Sequence, residues 1–360
     1  MGNGAGTGLE FFHWVLLVLS LSAILWMALA RILKWPSLAY ASLLPLVVAA
    51  FVLARYGVTL HWLVAVAWVA FFLAHLLTLR LLSNLLSDKV QRVAHVLGLW
   101  LGILVSMLAT IEIFDHFLPD GRGSAWRWLA WALVPSLYLW RAARDQARFW
   151  PVTAFRREYR LYAAFPVMAA MMLWFWIANL TSSGACAPLP YIPLFNPLEL
   201  GLLLVLFACW RWCLFSLPAA GESWKLLGRA VTVTACVSIV AVATLAVCRA
   251  AHTWADVPFD YHSMIRSMGV QAGWSIVWAL VALILMIGGS IRKDRVLWLA
   301  GAVLTAVVVL KLFFVDLRDR GGLARIISFI SVGALLLIVG YFAPMPPKKT
   351  EELEQERTIT

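Results

Sequence analysis

Charge is what this chain of 360 residues has least of: only 13% of positions are Asp, Glu, Lys or Arg. That is about half the share in a soluble domain, so a water-facing surface cannot be built from it. Stretches outside the apolar runs reach only about 15 to 25 residues, too short for a core of their own, which excludes an independent soluble domain. The five cysteines show no metal-ligand spacing, which removes the zinc modules built on paired cysteines. Residues 1–10 contain no Lys or Arg and therefore lack the basic start of a signal peptide. Ala28-Leu-Ala30 imitates a cleavage site, but an uncleaved first helix is the expectation. No internal repeat is visible, so an inverted-repeat transporter fold has no direct support.

What fills the chain is apolar sequence. Hydrophobic residues make up 63% and the mean hydropathy is +0.87. Runs near the length needed to cross a ~30 Å hydrocarbon core recur throughout. Eleven can be read, at about 11–30, 37–54, 60–79, 96–114, 125–140, 161–180, 198–217, 230–248, 272–291, 296–315 and 326–343. The fold class expected is all-α: a polytopic integral membrane helix bundle of about 11 transmembrane helices (range 9–12), forming one unit over 1–343. Residues 344–360 are expected to be a charged, disordered cytoplasmic tail.

With the N-terminus outside, the inner segments hold Arg31, Lys34, Arg80, Lys89, Arg92, six Arg between 141 and 160, Lys225, Arg229, Arg292, Lys293, Arg295, Lys348, Lys349 and Arg357. The outer ones hold Arg55, Arg122, Arg127, Arg249, Arg266, Arg318, Arg320 and Arg325. Nineteen against eight follows the rule that positive loops stay inside, which favours an N-out, C-in arrangement. The net charge of +11 is then mostly topogenic, and nucleic acid is a poor partner because the basic residues are divided among short loops. The partner expected is the lipid bilayer.

The least affordable residue is Lys311, inside the run 296–315 and about five residues from its far end. At ~1.5 Å rise per residue its backbone lies roughly 7–8 Å below the interface. Charges at such depth usually face protein or water and are functional candidates. Its side chain leans toward the helix N-terminus, here toward the membrane centre, which opposes escape to the surface. Asp316 is five positions on, about 140° around the helix, so partners from another span are attractive, with Glu112 and Glu199 as candidates in the outer half. A structural ion pair, a snorkelled lysine and a substrate- or proton-coupled role all remain open.

Asn196, Pro197 and Glu199 form a capping-box pattern, which offers Glu199 a structural job beside any catalytic one. The outer loop 249–273 carries His252, Asp256, Asp260 and His262, types that bind metal or shuttle protons. Their spacing matches no standard metal motif, and ordinary turn chemistry explains them as well. Together with Glu112, Asp115, His116 and Asp120 they would make an acidic, His-bearing outer cluster. Arg141–Arg160 combines its arginines with Phe149, Trp150, Phe155 and Tyr159, so it could grip anionic lipid headgroups or a phosphorylated substrate, or be topogenic alone. Residues 81–95 have helical amphipathic spacing, as a helix lying along the inner interface or an extension of the third span. Gly98 and Gly102 permit close helix approach, internal or between copies. Arg211 either snorkels or faces a polar cavity. Most of the 20 tryptophans fall near predicted helix ends, as in an interfacial belt. A Cys186–Cys248 bridge is one option on the outer side, and two buried thiols the other.

Several stretches carry a family resemblance: Asn196-Pro-Leu-Glu-Leu200, Gln271-Ala-Gly-Trp-Ser-Ile-Val-Trp278, Arg295-Val-Leu-Trp-Leu-Ala-Gly301, Lys311-Leu-Phe-Phe-Val-Asp316, Arg325-Ile-Ile-Ser-Phe-Ile-Ser-Val-Gly333 and Gly340-Tyr-Phe-Ala-Pro-Met-Pro-Pro347. From Asn196 onward the chain resembles domain-of-unknown-function family 2339, a group of predicted polytopic bacterial membrane proteins. The resemblance implies a multi-pass protein of the bacterial inner membrane, and the chain looks like a C-terminal portion or a short member. It implies no reaction. Three functions compete: a transport or translocation component for a small or lipid-like solute, a membrane-embedded enzyme acting at the outer face on an envelope or lipid-linked substrate, and a non-catalytic scaffold of an envelope complex. Transport leads narrowly. No cofactor or metal is expected, and oligomeric state is open.

Overall fold

A computed structural model describes residues 4–118, 124–144, 149–217 and 223–312, with positions 330, 333 and 337. Among the described residues the protein is helical and contains no strand. In chain order the helices are α1 (Gly4–Leu33), α2 (Pro36–Ala41), α3 (Leu44–Tyr56), α4 (Trp62–Leu81), α5 (Asp88–Phe117) and α6 (Ala125–Ala142). A π-helical turn, Glu158–Tyr162, leads into α7 (Ala164–Thr181), followed by α8 (Pro197–Ser216) and α9 (Ser223–Ala255). Then come α10 (Tyr261–Arg266), α11 (Met268–Ile291) and α12 (Arg295–Lys311).

Among the described residues, eight segments are long and apolar enough to cross a membrane: His13–Leu33, Pro36–Tyr56, Trp62–Leu81, Asp88–Phe117, Glu158–Thr181, Pro197–Ser216, Val233–Ala255 and Met268–Ile291. They correspond to eight of the eleven apolar runs. The fifth run forms α6, which carries Arg127, Pro135 and Arg141 and is not among the eight. The tenth forms α12, and the eleventh lies outside the described residues apart from three positions.

These helices bury little of themselves. The apolar window of α11 is 22% buried and that of α8, the most enclosed, 56%. Outward faces carry residues such as Trp14, Leu21, Leu73, Leu173 and Ile284. In water such faces would be adhesive patches; in lipid they are as well solvated as a core. The protein is therefore a polytopic α-helical membrane protein.

The described chain divides into two compact units, residues 1–191 with 195–236 and residues 192–194 with 237–360. In the first, α1, α3, α4 and α5 pack around Trp68 and Phe71, while α8 packs on α6 and α7. Gly98 and Gly102 serve this interior: a Cβ on Gly98 would lie 2.6 Å from His75 Nε2, and one on Gly102 3.7 Å from Phe72. In the second unit α11 and α12 form a tight hairpin. A Cβ at Gly289 would meet the backbone N of Trp298 at 2.5 Å, and one at Gly301 would meet the carbonyl O of Ala282 at 2.7 Å.

Three readings left by the sequence are resolved in the structure, two of them as changes and the cysteines as one of the two options named. Residues 81–95 form neither an interfacial helix nor an extension of α4: α4 stops at Leu81 and α5 starts at Asp88. Leu82 and Leu86 turn into a core with Met27, Leu79 and Ala94. Gln91 Nε2 closes the turn by donating to Ser83 O (2.5 Å) and Leu86 O (3.0 Å). Second, all five cysteines are free thiols. Cys186 turns inward, where its Sγ donates to Leu189 O at 3.3 Å and burial pushes its pKa up. Third, Arg249 is not in an outer loop. Helix α9 continues to Ala255, and Arg249 within it is fully buried.

Caps complete the helix starts. Asn196 Oδ1 accepts from Leu198 N at 2.8 Å, with Pro197 at the first helical position. Asp294 Oδ1 accepts from Val296 N and Leu297 N, and Asp260 Oδ1 accepts from Ser263 N at 3.0 Å.

Two outcomes follow. Gly301→Ala is expected to destabilise by about 1–3 kcal/mol through overpacking against backbone, whereas Gly269→Ala, with only Ser267 Oγ nearby at 3.9 Å, should be neutral. Thermal midpoints in detergent read the difference. For Asp260, hydrogen bonding to Ser263 lowers the carboxyl pKa below 3.8. Its capping contribution is therefore complete above the unfolded pKa and lost as pH falls through the lowered value. Amide exchange in 261–266 should accelerate only in that acidic window, and Asp260→Ala should abolish the pH dependence.

Candidate functional site

The site around Lys311 is built from the α11–α12 hairpin. Asp294 starts α12, the two glycines bring its axis close to α11, and antiparallel travel returns Lys311 to the level of the first two turns of α11. On α11, Gln271 and Ser275 are four residues apart and share one face. Lys311 Nζ donates to Gln271 O at 2.9 Å and to Ser275 Oγ at 2.8 Å. Ser275 Oγ in turn donates to Gln271 O at 3.1 Å, and the Gln271 side chain donates to Ile265 O at 3.0 Å. Lysine, serine and carbonyl thus form a polar triangle between two largely apolar helices.

A second pair, Trp274 and Trp278, is also four residues apart and holds α11 to α9. Trp274 Nε1 donates to Thr244 O (3.1 Å) and Trp278 Nε1 to Thr244 Oγ1 (2.9 Å). Gly273 sits between them, where a Cβ would meet Val247 Cγ1 at 2.5 Å. One short segment therefore sets both the place of Lys311 and the spacing of three helices.

The other candidates are placed as follows. Asp316 lies outside the described residues, as does Asp120. In the first unit, Glu112 is exposed on α5, and Asp115 pairs with Arg127 of α6 at 3.9 Å. Glu199 is fully buried at the start of α8 and accepts from Tyr191 Oη at 2.8 Å. In the second unit, the stretch read as a long loop is mostly helix, leaving only 256–260 between α9 and α10. His252 Nδ1 lies 2.8 Å from Val257 O, Asp256 takes a left-handed backbone conformation (φ 51°), and exposed His262 stands edge-on to Tyr261. His252 thus folds onto its own turn. No group of three His, Cys, Asp or Glu side chains gathers among the described residues.

Elsewhere, Arg211 lays its guanidinium over Phe215 at 4.8 Å. Arg141, Arg144, Arg156 and Arg160, read from sequence only as a basic stretch, come together around one recess in the first unit. Sequence reasoning missed Gln271 and Ser275 as partners of Lys311. The available signal was two polar residues one turn apart in an apolar run. It also missed Tyr138 and His95, which no spacing rule connects to the basic stretch.

A family model described as "Predicted membrane protein (DUF2339)" matches residues 8–346. The match covers nearly the whole chain, so the resemblance is not confined to the stretch from Asn196 onward, and the first 190 residues share it. No curated protein matches, and no solved structure matches. The chain belongs to the DUF2339 family of predicted membrane proteins.

Proposed function

We propose that this protein is a transport or translocation component for a small or lipid-like solute, in the inner membrane of a bacterium with its N-terminus outside and C-terminus inside. The observation that carries the reading is Lys311, a cation held part-buried at the end of a mostly apolar helix by Gln271 O and Ser275 Oγ. Keeping an ionisable group at that depth is costly, and such groups mark solute or proton paths. The hairpin fixes the ammonium at one depth instead of releasing it to the surface. A negatively charged group moving past α11 and α12 would meet a localised charge in a medium of low dielectric, where attraction is strong.

Lipid movement tests this directly. Purified full chain in liposomes with fluorescently tagged phosphatidylglycerol should speed dithionite-accessible exchange between leaflets. Lys311→Met should remove most of that rate and Lys311→Arg should retain more of it, while Ser275→Ala gives an intermediate value. Exchange equal to that of protein-free liposomes would sink the lipid-like reading. For the orientation, alkaline phosphatase fused after Ala185 should be active and after Thr350 inactive; the opposite pattern reverses every side assignment.

A further inference from the structure

Helix α6 ends at Ala142 and the π-turn that opens α7 begins at Glu158, so both ends return to one face of the first unit. That is the face where the positive loops are expected to stay inside. Arg141 and Arg144 come from the end of α6, Arg156 and Arg160 from the segment entering α7. With Tyr138 and Tyr159 they line a recess of about 250 Å³. Among the described residues, no carboxylate lines it. Glu158, next to Tyr159 in the chain, is buried and pairs with Arg92 at 3.5 Å.

The recess has a fixed wall. In the π-turn Ala163 N bonds to Glu158 O, five residues back, at 2.8 Å. Such a widened turn exposes carbonyls that a regular helix would use. Three helices supply donors to it: Tyr138 Oη to Tyr159 O at 2.6 Å, Trp212 Nε1 to Arg160 O at 2.8 Å and Trp100 Nε1 to Ala163 O at 3.0 Å. The Tyr159 hydroxyl is itself held 3.1 Å from Nδ1 of buried His95. On the guanidinium side, Arg160 Nη2 donates to Phe215 O at 2.7 Å, and Arg144 stacks on Trp140 at 3.8 Å.

We infer that this recess is a binding site for a phosphate group, carried by the headgroup of an anionic phospholipid or by a soluble phosphorylated compound. Arg141, Arg144 and Arg156 supply the cationic forks, and Arg160 is a positioning residue that ties the wall to the end of α8. Planar guanidinium groups match pairs of phosphate oxygens, and basic pockets at the ends of membrane helices suit lipid headgroups. At about 250 Å³ the recess falls just below the ~300–1,000 Å³ of sites that enclose drug-sized ligands. That size fits a phosphate and its immediate substituent, not a whole lipid. Topogenic charge alone would not require arginines from two separate segments to share one walled recess. The inference is independent of Lys311, which belongs to the other unit.

Full-length protein, delipidated in an uncharged detergent, provides the test. Its thermal midpoint is measured against dioleoyl phosphatidylglycerol, dioleoyl phosphatidylcholine, and inorganic phosphate compared with chloride at equal ionic strength. The expected result is stabilisation by phosphatidylglycerol or phosphate, with apparent affinity at least about tenfold weaker (about 1.4 kcal/mol) in the triple variant Arg141→Gln, Arg144→Gln, Arg156→Gln. The corresponding triple lysine variant keeps the charge and any topogenic role but loses the forks, so it should fold as the wild type and bind with intermediate strength. Stabilisation by phosphatidylglycerol alone assigns the phosphate to a lipid headgroup; saturation by inorganic phosphate assigns it to a soluble compound. Equal stabilisation by phosphatidylcholine and phosphatidylglycerol with none by phosphate, no stabilisation by any of them, or wild-type affinity in the lysine triple would overturn the proposal.

Discussion

Inside hydrocarbon there is no water to bond a peptide group, so every backbone N–H and C=O must find its partner in protein. The architecture follows from that single requirement. Long helices satisfy their own ladders, which leaves outward faces free to be apolar. Where the ladder departs from regularity, side chains must complete it. The π-turn at Glu158–Tyr162 is the clearest case, because the carbonyls of Tyr159, Arg160 and the adjoining Ala163 are met by Tyr138, Trp212 and Trp100 from three different helices.

The same requirement recasts the tryptophans. A belt of interfacial rings accounts for those near helix ends, but several indoles act as staples between elements. Trp126 donates to the carbonyls of Cys186 and Ala187, Trp274 to that of Thr244, and Trp278 to the Thr244 hydroxyl. An indole is suited to this work because it is almost wholly apolar and carries one donor and no acceptor, so one bond satisfies it completely.

Much of the fold was legible because apolar runs and caps are local properties. Asn196 and Pro197 announced the start of α8, and the Gly98–Gly102 pair announced a close helix contact. The turn before α5 was not legible. Its apolar spacing suggested one continuous amphipathic helix, but the break between helices depends on Gln91 folding back over the turn. The partners of Lys311 required the antiparallel register of α11 and α12, which follows from glycine contacts and not from spacing within either run. The arginine recess was hidden for a related reason. Six arginines in twenty residues look topogenic until the helix ends are brought together.

Lys311 and Arg160 both donate to neutral oxygens of neighbouring helices. Lys311 bonds to Gln271 O and Ser275 Oγ, and Arg160 to Phe215 O in the last turn of α8. Helix carbonyl ends carry partial negative charge, so Arg160 caps α8 as well as lining the recess. A neutral oxygen solvates a cation without cancelling its charge, unlike a carboxylate. Bonds of this kind offset part of the desolvation cost of a cation held away from water. In a chain with 29 basic and 18 acidic residues, backbone and hydroxyl oxygens are the more plentiful acceptors for such cations.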